Sequence, residues 1–377
     1  MTGTRPRDSA VERIRERVEE KAARRRAAAE AERSGPVRDP HKVPPGGPSE
    51  AELPGVHAEK PTDIPWAGWK QILKRAWAEN KADNMPIIAG GVAFFGFLSA
   101  FPALIATISI YGLVSSPADV TRQIEDLSAQ LPEDAQKLLE TQLTSIAANS
   151  GGALSFGLIV SILAALWSAS GGVGNLITAI NLAYDEVDAR NAVKKKLMSL
   201  GMTLAAIVFV LVTFTLVAVV PSVLEALPLG IVGTVLAQVV RWGLLLGVFT
   251  GSLAVLYRIA PDRDNPKLRW VSLGSVIVTV IWVVVSVGFS IYVDNFGSYD
   301  KTYGTIAGVI VLMLWLYLTC FLVLLGAEIN SEAEHQTAHD TTEGPPQPMG
   351  ARDATMADEL PNPPEPSKKD KNPTAKR

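Results

Sequence analysis

Six stretches of the chain lose nearly all charge for about twenty residues or more, and none of them alternates polar and apolar positions with a period of two. They run roughly over 87–114, 153–174, 199–220, 236–257, 271–293 and 304–327. A helix rises about 1.5 Å per residue and the hydrocarbon layer is about 30 Å thick, so each stretch is long enough for one crossing. The pattern predicts an all-α polytopic membrane protein with six transmembrane helices. The missing alternation excludes a closed β-barrel.

Outside these runs the pattern changes three times. Residues 1–64 are charged and proline-rich, and residues 331–377 are polar with seven prolines between Pro345 and Pro366. Neither segment has enough branched and aromatic side chains to offset the entropy of ordering, so both read as disordered tails. Within the first tail, SAVE (9–12) fits a helix capping box, Val11, Ile14 and Val18 form a thin apolar stripe, and Arg24, Arg25 and Arg26 follow. This short basic helix is expected either to stay solvated or to rest on anionic lipid. Residues 65–84 place Trp66, Trp69, Leu73 and Trp77 on one helical face beside Lys70, Lys74 and Arg75. That composition suits a helix in the headgroup layer, turning into the membrane at Asn84–Pro86. The membrane domain is then 85–330. With no apolar run in the first 80 residues, the first span is expected to direct insertion itself.

Charge sets the expected orientation. Twelve lysines and arginines flank the spans on one side: Lys70, Lys74, Arg75, Lys81, Arg190, Lys194, Lys195, Lys196, Arg258, Arg263, Lys267 and Arg269. The opposite loops hold three, Arg122, Lys137 and Lys301. Basic loops stay in the cytoplasm, which places both termini there. The first outer loop, 115–152, repeats apolar residues at helical spacing on either side of Pro132, predicting two amphipathic helices on the outer face.

Polar and small residues inside the spans mark either packing contacts or a pathway. The first span has Gly90, Gly91 and Gly96, and Pro102 near its middle, where a lost backbone donor predicts a kink. The second ends in WSASGGVGNLITAINLAYDEVDAR (167–190). There Trp167, Gly171, Gly174, Thr178, Asn181 and Asp185 recur every three or four residues, with Gly172 in a second small-residue pair and Asn175 one position off the face. A cluster of Asn84, Asn175, Thr178, Asn181, Arg190, Arg258 and Glu328 is expected at the cytoplasmic mouth, with Glu328 seeking one of the arginines. Ordinary helix-end capping and snorkelling accounts for the same residues, and both readings stay open. On the outer side, Asp294, Tyr299, Asp300, Tyr303 and Gly304 are expected to form the tight turn between spans five and six.

Metal-dependent nucleases need clustered acidic or histidine ligands. The four histidines, His41, His57, His335 and His339, lie in or beside the tails. No Walker loop, HExxH or GxSxG occurs. No metal, cofactor or nucleic-acid partner is expected, and the single cysteine, Cys320, reads as a small hydrophobe.

Four stretches in order resemble the YihY/BrkB family of bacterial inner-membrane proteins: AGGVAFFGFLSAFPALI, LWSASGGVGNLITAINLAYDEVDAR, YRIAPDRDNPKLRWVSLGS and SIYVDNFGSYDKTYGTIAGVIVLMLWLYLTCFLVLLGAEINSE. The resemblance covers about 66–335. It implies six spans with both termini inside, a plasma-membrane location and a role in envelope integrity. An older family name, ribonuclease BN, is regarded as a misassignment. The leading expectation is a transporter or flippase-like protein for a lipid or another amphiphile. The alternative is a non-transporting scaffold acting through the outer loop or N-terminal tail. Membrane lipids are the expected partners, and a homo-oligomer is left open. Neither ribonuclease nor other enzyme activity is expected.

Overall fold

The computed structural model describes residues 42–44, 46–114, 156–220, 224, 230–295 and 305–361. The capping-box helix, the outer-loop helices and the outer turn of Tyr299, Asp300, Tyr303 and Gly304 lie outside these residues, as does the side chain of Asp294. Among the described residues the fold is all helix. A short 3-10 turn, Pro61–Asp63, precedes α1 (Trp66–Ala82). Then follow α2 (Met85–Val114), α3 (Phe156–Ala183), α4 (Ala192–Phe214), α5 (Gly230–Ile259), α6 (Leu268–Asn295), α7 (Thr305–His335) and the single turn α8 (Thr355–Asp358). Six helices, α2 to α7, are long and apolar enough to cross a membrane. The chain is a multi-pass membrane protein.

Sequence chemistry explains the helix ends. Asn84 takes a left-handed conformation (φ 55°), which asparagine tolerates better than most residues, and this turns the chain from α1 into α2. Asp185 does the same after α3, with a φ of 51°. Asn191 caps α4, its side chain accepting the Lys194 amide at 2.8 Å. α2 runs unbroken through Pro102, and α4 continues into a π-helical turn at Thr215–Val219.

α7 is the axis of the bundle. It packs against α2, α3 and α6, and towards its C-terminus also against α1 and α8. The main core lies nearer the basic end of the bundle, where Met85 and Ala89 of α2 meet Ile180 and Ala183 of α3, Tyr257 of α5, Val271 of α6 and Leu324 of α7. Further along the spans the side chains face outward. Ile231 and Val232 are more than 80% exposed, as befits a surface solvated by acyl chains.

The structure corrects two expectations about the flanks. The sixth span was expected to end at 327, but the helix continues two further turns to His335. The segments expected to be disordered tails are also ordered where they are described. Residues 42–64 and 336–361 wrap the end of α7 as a cap. The reason is local burial that composition does not show. Ile72, Ile64 and Ala58 pack with Trp270 and Ala333. Leu53 and Val56 pack with Ala338, and Ala338 N–H donates to the Val56 carbonyl at 2.8 Å. The tail also lies antiparallel along the α5–α6 link, with Lys267 N–H on the Thr341 carbonyl and Glu343 N–H on the Asn265 carbonyl. α1 turns Gly68, Ile72, Ala76 and Asn80 inward. Trp66, Leu73 and Trp77 face out, with Lys70 and Lys81 over the two indole rings. Trp69, expected on that outward face, is half-buried against the Ile72 cluster instead.

A buried ion pair anchors the cap. Arg263 and Glu334 side chains are fully buried and meet at 2.7 Å, and the Thr341 hydroxyl donates to the same carboxylate at 2.6 Å. Burial opposes the charge on Arg263, but Glu334 more than offsets it, so the guanidinium is held above its usual pKa. Glu334→Ala leaves that cation buried and unpaired, at a cost of about 3–5 kcal/mol. Glu343→Ala removes only the half-exposed partner of Arg258 and costs about 1 kcal/mol or less. Melting of the detergent-solubilised variants checks this order, and equal losses would contradict it.

Candidate functional site

The basic end of α3 supplies the candidate site. Its terminal amide, Asn181, is buried and fully used. Nδ2 donates to the Ile177 carbonyl at 2.8 Å and the Ala260 carbonyl at 3.3 Å, while Oδ1 accepts the Asp262 amide at 2.7 Å. Arg190 reaches the same link. Its guanidinium donates to the Ala260 carbonyl at 2.8 Å and to Asp188 at 2.9 Å, and Asp262 lies 3.7 Å away. Asn181 and Arg190 thus converge on the Ala260 carbonyl and together pin the end of α3 to the α5–α6 link.

Three other expected members of the mouth cluster, Arg258, Asn84 and Glu328, go elsewhere. Arg258 turns to Glu343 of the tail at 2.5 Å. Asn84 is exposed, with its amide 3.3 Å from the Ala82 carbonyl. Glu328 is 1% exposed and meets no arginine, and its Oε1 has no hydrogen-bond partner. The charged groups that act most strongly on it are carboxylates: Asp83, Asp185, Glu332 and Glu79. The arginine on this face, Arg75, is taken by Glu332 at 2.5 Å and Gln336 at 2.7 Å. The i, i+4, i+8 spacing of Glu328, Glu332 and Gln336 was the available signal that α7 carries on past 327.

Asn175 and Thr178 sit on a groove of about 500 Å³ between α2 and the end of α3. Ile88, Gly91, Val92 and Phe95 form its α2 wall. Asn175, Thr178, Ala179, Asn181 and Leu182 form the α3 wall, and Glu186, Val187 and Asp188 close one end. The groove is therefore greasy along its length and polar at the mouth. Asn175 makes no hydrogen bond within the described residues.

The small residues do not share one smooth face. A Cβ on Gly172 would meet Ser99 and the Phe95 carbonyl of α2, and the Gly172 amide donates to Ser99 Oγ at 3.0 Å. A Cβ on Gly174 would lie 3.2 Å from Ser199 Oγ of α4. One on Gly171, Gly90, Gly91 or Gly96 would meet nothing within 4 Å. A contact that sequence reasoning missed ties α4 to α3: Lys196 Nζ donates to the Trp167 carbonyl at 2.9 Å and Ser170 Oγ at 2.6 Å, over the Trp167 ring. Among the described residues, no group of three or more His, Cys, Asp or Glu side chains could hold a metal ion.

A family model described as Virulence factor BrkB matches residues 76–350, most of the chain and all six spans. The chain belongs to the BrkB family. A Bacillus subtilis relative, "Putative ribonuclease-like protein YfkH", is 38% identical over 248 residues, covering 64% of this chain and 86% of that protein. A UPF0761 membrane protein of Alteromonas mediterranea is 28% identical over 270 residues, covering 68% of this chain and 88% of that one. Another, of Tolumonas auensis, is 25% identical over 277 residues, covering 68% and 82%. No solved structure matches. BrkB proteins are thus a family of bacterial membrane proteins rather than a known enzyme family.

The glycine geometry gives a direct test. Gly172→Leu forces α2 and α3 apart and costs about 1–3 kcal/mol, whereas Gly171→Leu adds a side chain to the lipid face and leaves stability unchanged. Thermal melting of both variants in detergent distinguishes them, and a stable Gly172→Leu protein would count against this packing.

Proposed function

We propose that this BrkB-family protein moves a lipid-like amphiphile across the membrane, and that the α2–α3 groove is where the molecule is held. The observation behind this reading is the groove's composition: an apolar wall from Ile88 to Phe95 beside an amide, a hydroxyl and two carboxylates at the mouth. A molecule with an acyl chain and a polar head matches both parts. Gly91 leaves the groove open because no side chain occupies its position. Nothing among the described residues resembles a nucleotide-binding loop, so the reading needs either a gradient or simple equilibration between leaflets.

A second reading has its own support. Gly172 and Gly174 pack against α2 and α4, which is what small residues do in a rigid scaffold. Reconstitution separates the two. In proteoliposomes with fluorescent lipid in both leaflets, the wild-type protein is expected to expose inner-leaflet lipid to an external quencher. Gly91→Trp, which fills the groove, is expected to slow this about tenfold or more, equivalent to about 1.4 kcal/mol in barrier. Gly171→Leu is expected to behave as wild type. Lipid movement unaffected by Gly91→Trp would remove the groove from the pathway, and no movement at all would favour the scaffold.

A further inference from the structure

We propose that the α2–α3 groove selects an amphiphile with an uncharged, hydrogen-bonding head, such as a diacylglycerol, over one bearing a phosphate anion. This rests on the reading of the groove as an amphiphile site. The argument starts from charge. Among the described residues no lysine or arginine lines the groove, while Glu186 and Asp188 stand at its mouth. Arg190, which holds Asp188 at the mouth, is committed to that carboxylate and the Ala260 carbonyl, and its side chain is 6% exposed. Lys195 is likewise drawn to Asp188, at 3.5 Å. A phosphate entering the mouth would leave water beside two carboxylates, where the cations at hand, Arg190 and Lys195, are already paired with Asp188.

The same mouth suits a neutral head. The Asn175 side chain offers one carbonyl acceptor and two N–H donors with no partner among the described residues. Thr178, one turn along the same helix face, donates its hydroxyl hydrogen to the Gly174 carbonyl at 3.0 Å and keeps its oxygen free to accept. A hydroxyl-bearing head can donate to Thr178 or Asn175 and accept from the Asn175 amide. The carboxylates give a cationic head less than their number suggests. Glu186 Oε1 already accepts the Thr355 amide at 2.7 Å, and Asp188 is paired as above.

The test uses the full-length protein in neutral detergent micelles, titrated with three NBD-labelled probes: diacylglycerol, phosphatidylglycerol and phosphatidylethanolamine. Diacylglycerol is expected to bind about tenfold or more tighter than phosphatidylglycerol. Asn175→Leu is expected to weaken diacylglycerol about fivefold, the scale of one lost hydrogen bond, with no change in melting. Gly91→Trp should abolish specific binding of all three. Equal or tighter binding of phosphatidylglycerol or phosphatidylethanolamine, still sensitive to Gly91→Trp, would overturn the head-group assignment and leave the groove standing. Binding that ignores Gly91→Trp would instead overturn the groove as the site.

Discussion

Three carboxylates on the last turns of α7 set the terms for the rest of the molecule. Glu328, Glu332 and Glu334 are all almost fully buried, on a helix that also spans the membrane. Neither lipid nor an open helix end could shelter them at low cost. Protein has to do so, and for Glu332 and Glu334 the partners are recruited from far along the chain: Arg75 from α1, Arg263 from the α5–α6 link and Thr341 from the tail. Once those partners are in place, the cap follows. Arg352 then ties the tail to itself through the carbonyls of Ala338 and Ala357.

The membrane architecture was legible because bilayer thickness imposes a length and a composition that short-range reading detects. All six spans, and a helix before the first of them, could be placed from runs of apolar residues and the spacing of tryptophan and lysine. The cap was not legible, for an equally physical reason. Its order comes from contacts such as Gln336 to the Pro54 carbonyl and Thr337 to the Ala58 carbonyl, between segments that each look too polar to fold alone. Composition measures what a segment can bury by itself, not what a neighbour can bury for it.

The site shows the same division. That Asn181 and Arg190 belong together could be anticipated from their position at a helix end. That Arg258 turns to the tail depended on where the cap lies, and that Glu328 sits among carboxylates depended on how α1 and α3 pack against α7. The glycines of α3 illustrate a finer limit. Gly171, Gly172 and Gly174 lie within four positions, yet one faces outward, one meets α2 and one meets α4. Helical periodicity assigns directions, but only the neighbouring helices decide which directions are occupied.

The closure of the cap also has a consequence for how the protein is made. The carboxylate of Glu332 sits against Arg75, and the Val56 carbonyl holds the amide of Ala338, so the first helix is completed by residues translated more than 250 positions later. Until the ribosome has delivered α7, Arg75 lacks Glu332 and the inward face of α1 lacks its packing against Ala333. The nascent chain must therefore cross the bilayer six times before its first element can settle. Such long-range closure is slow compared with local helix formation. It makes the arrival of α7 and the segment after it the event that locks the fold.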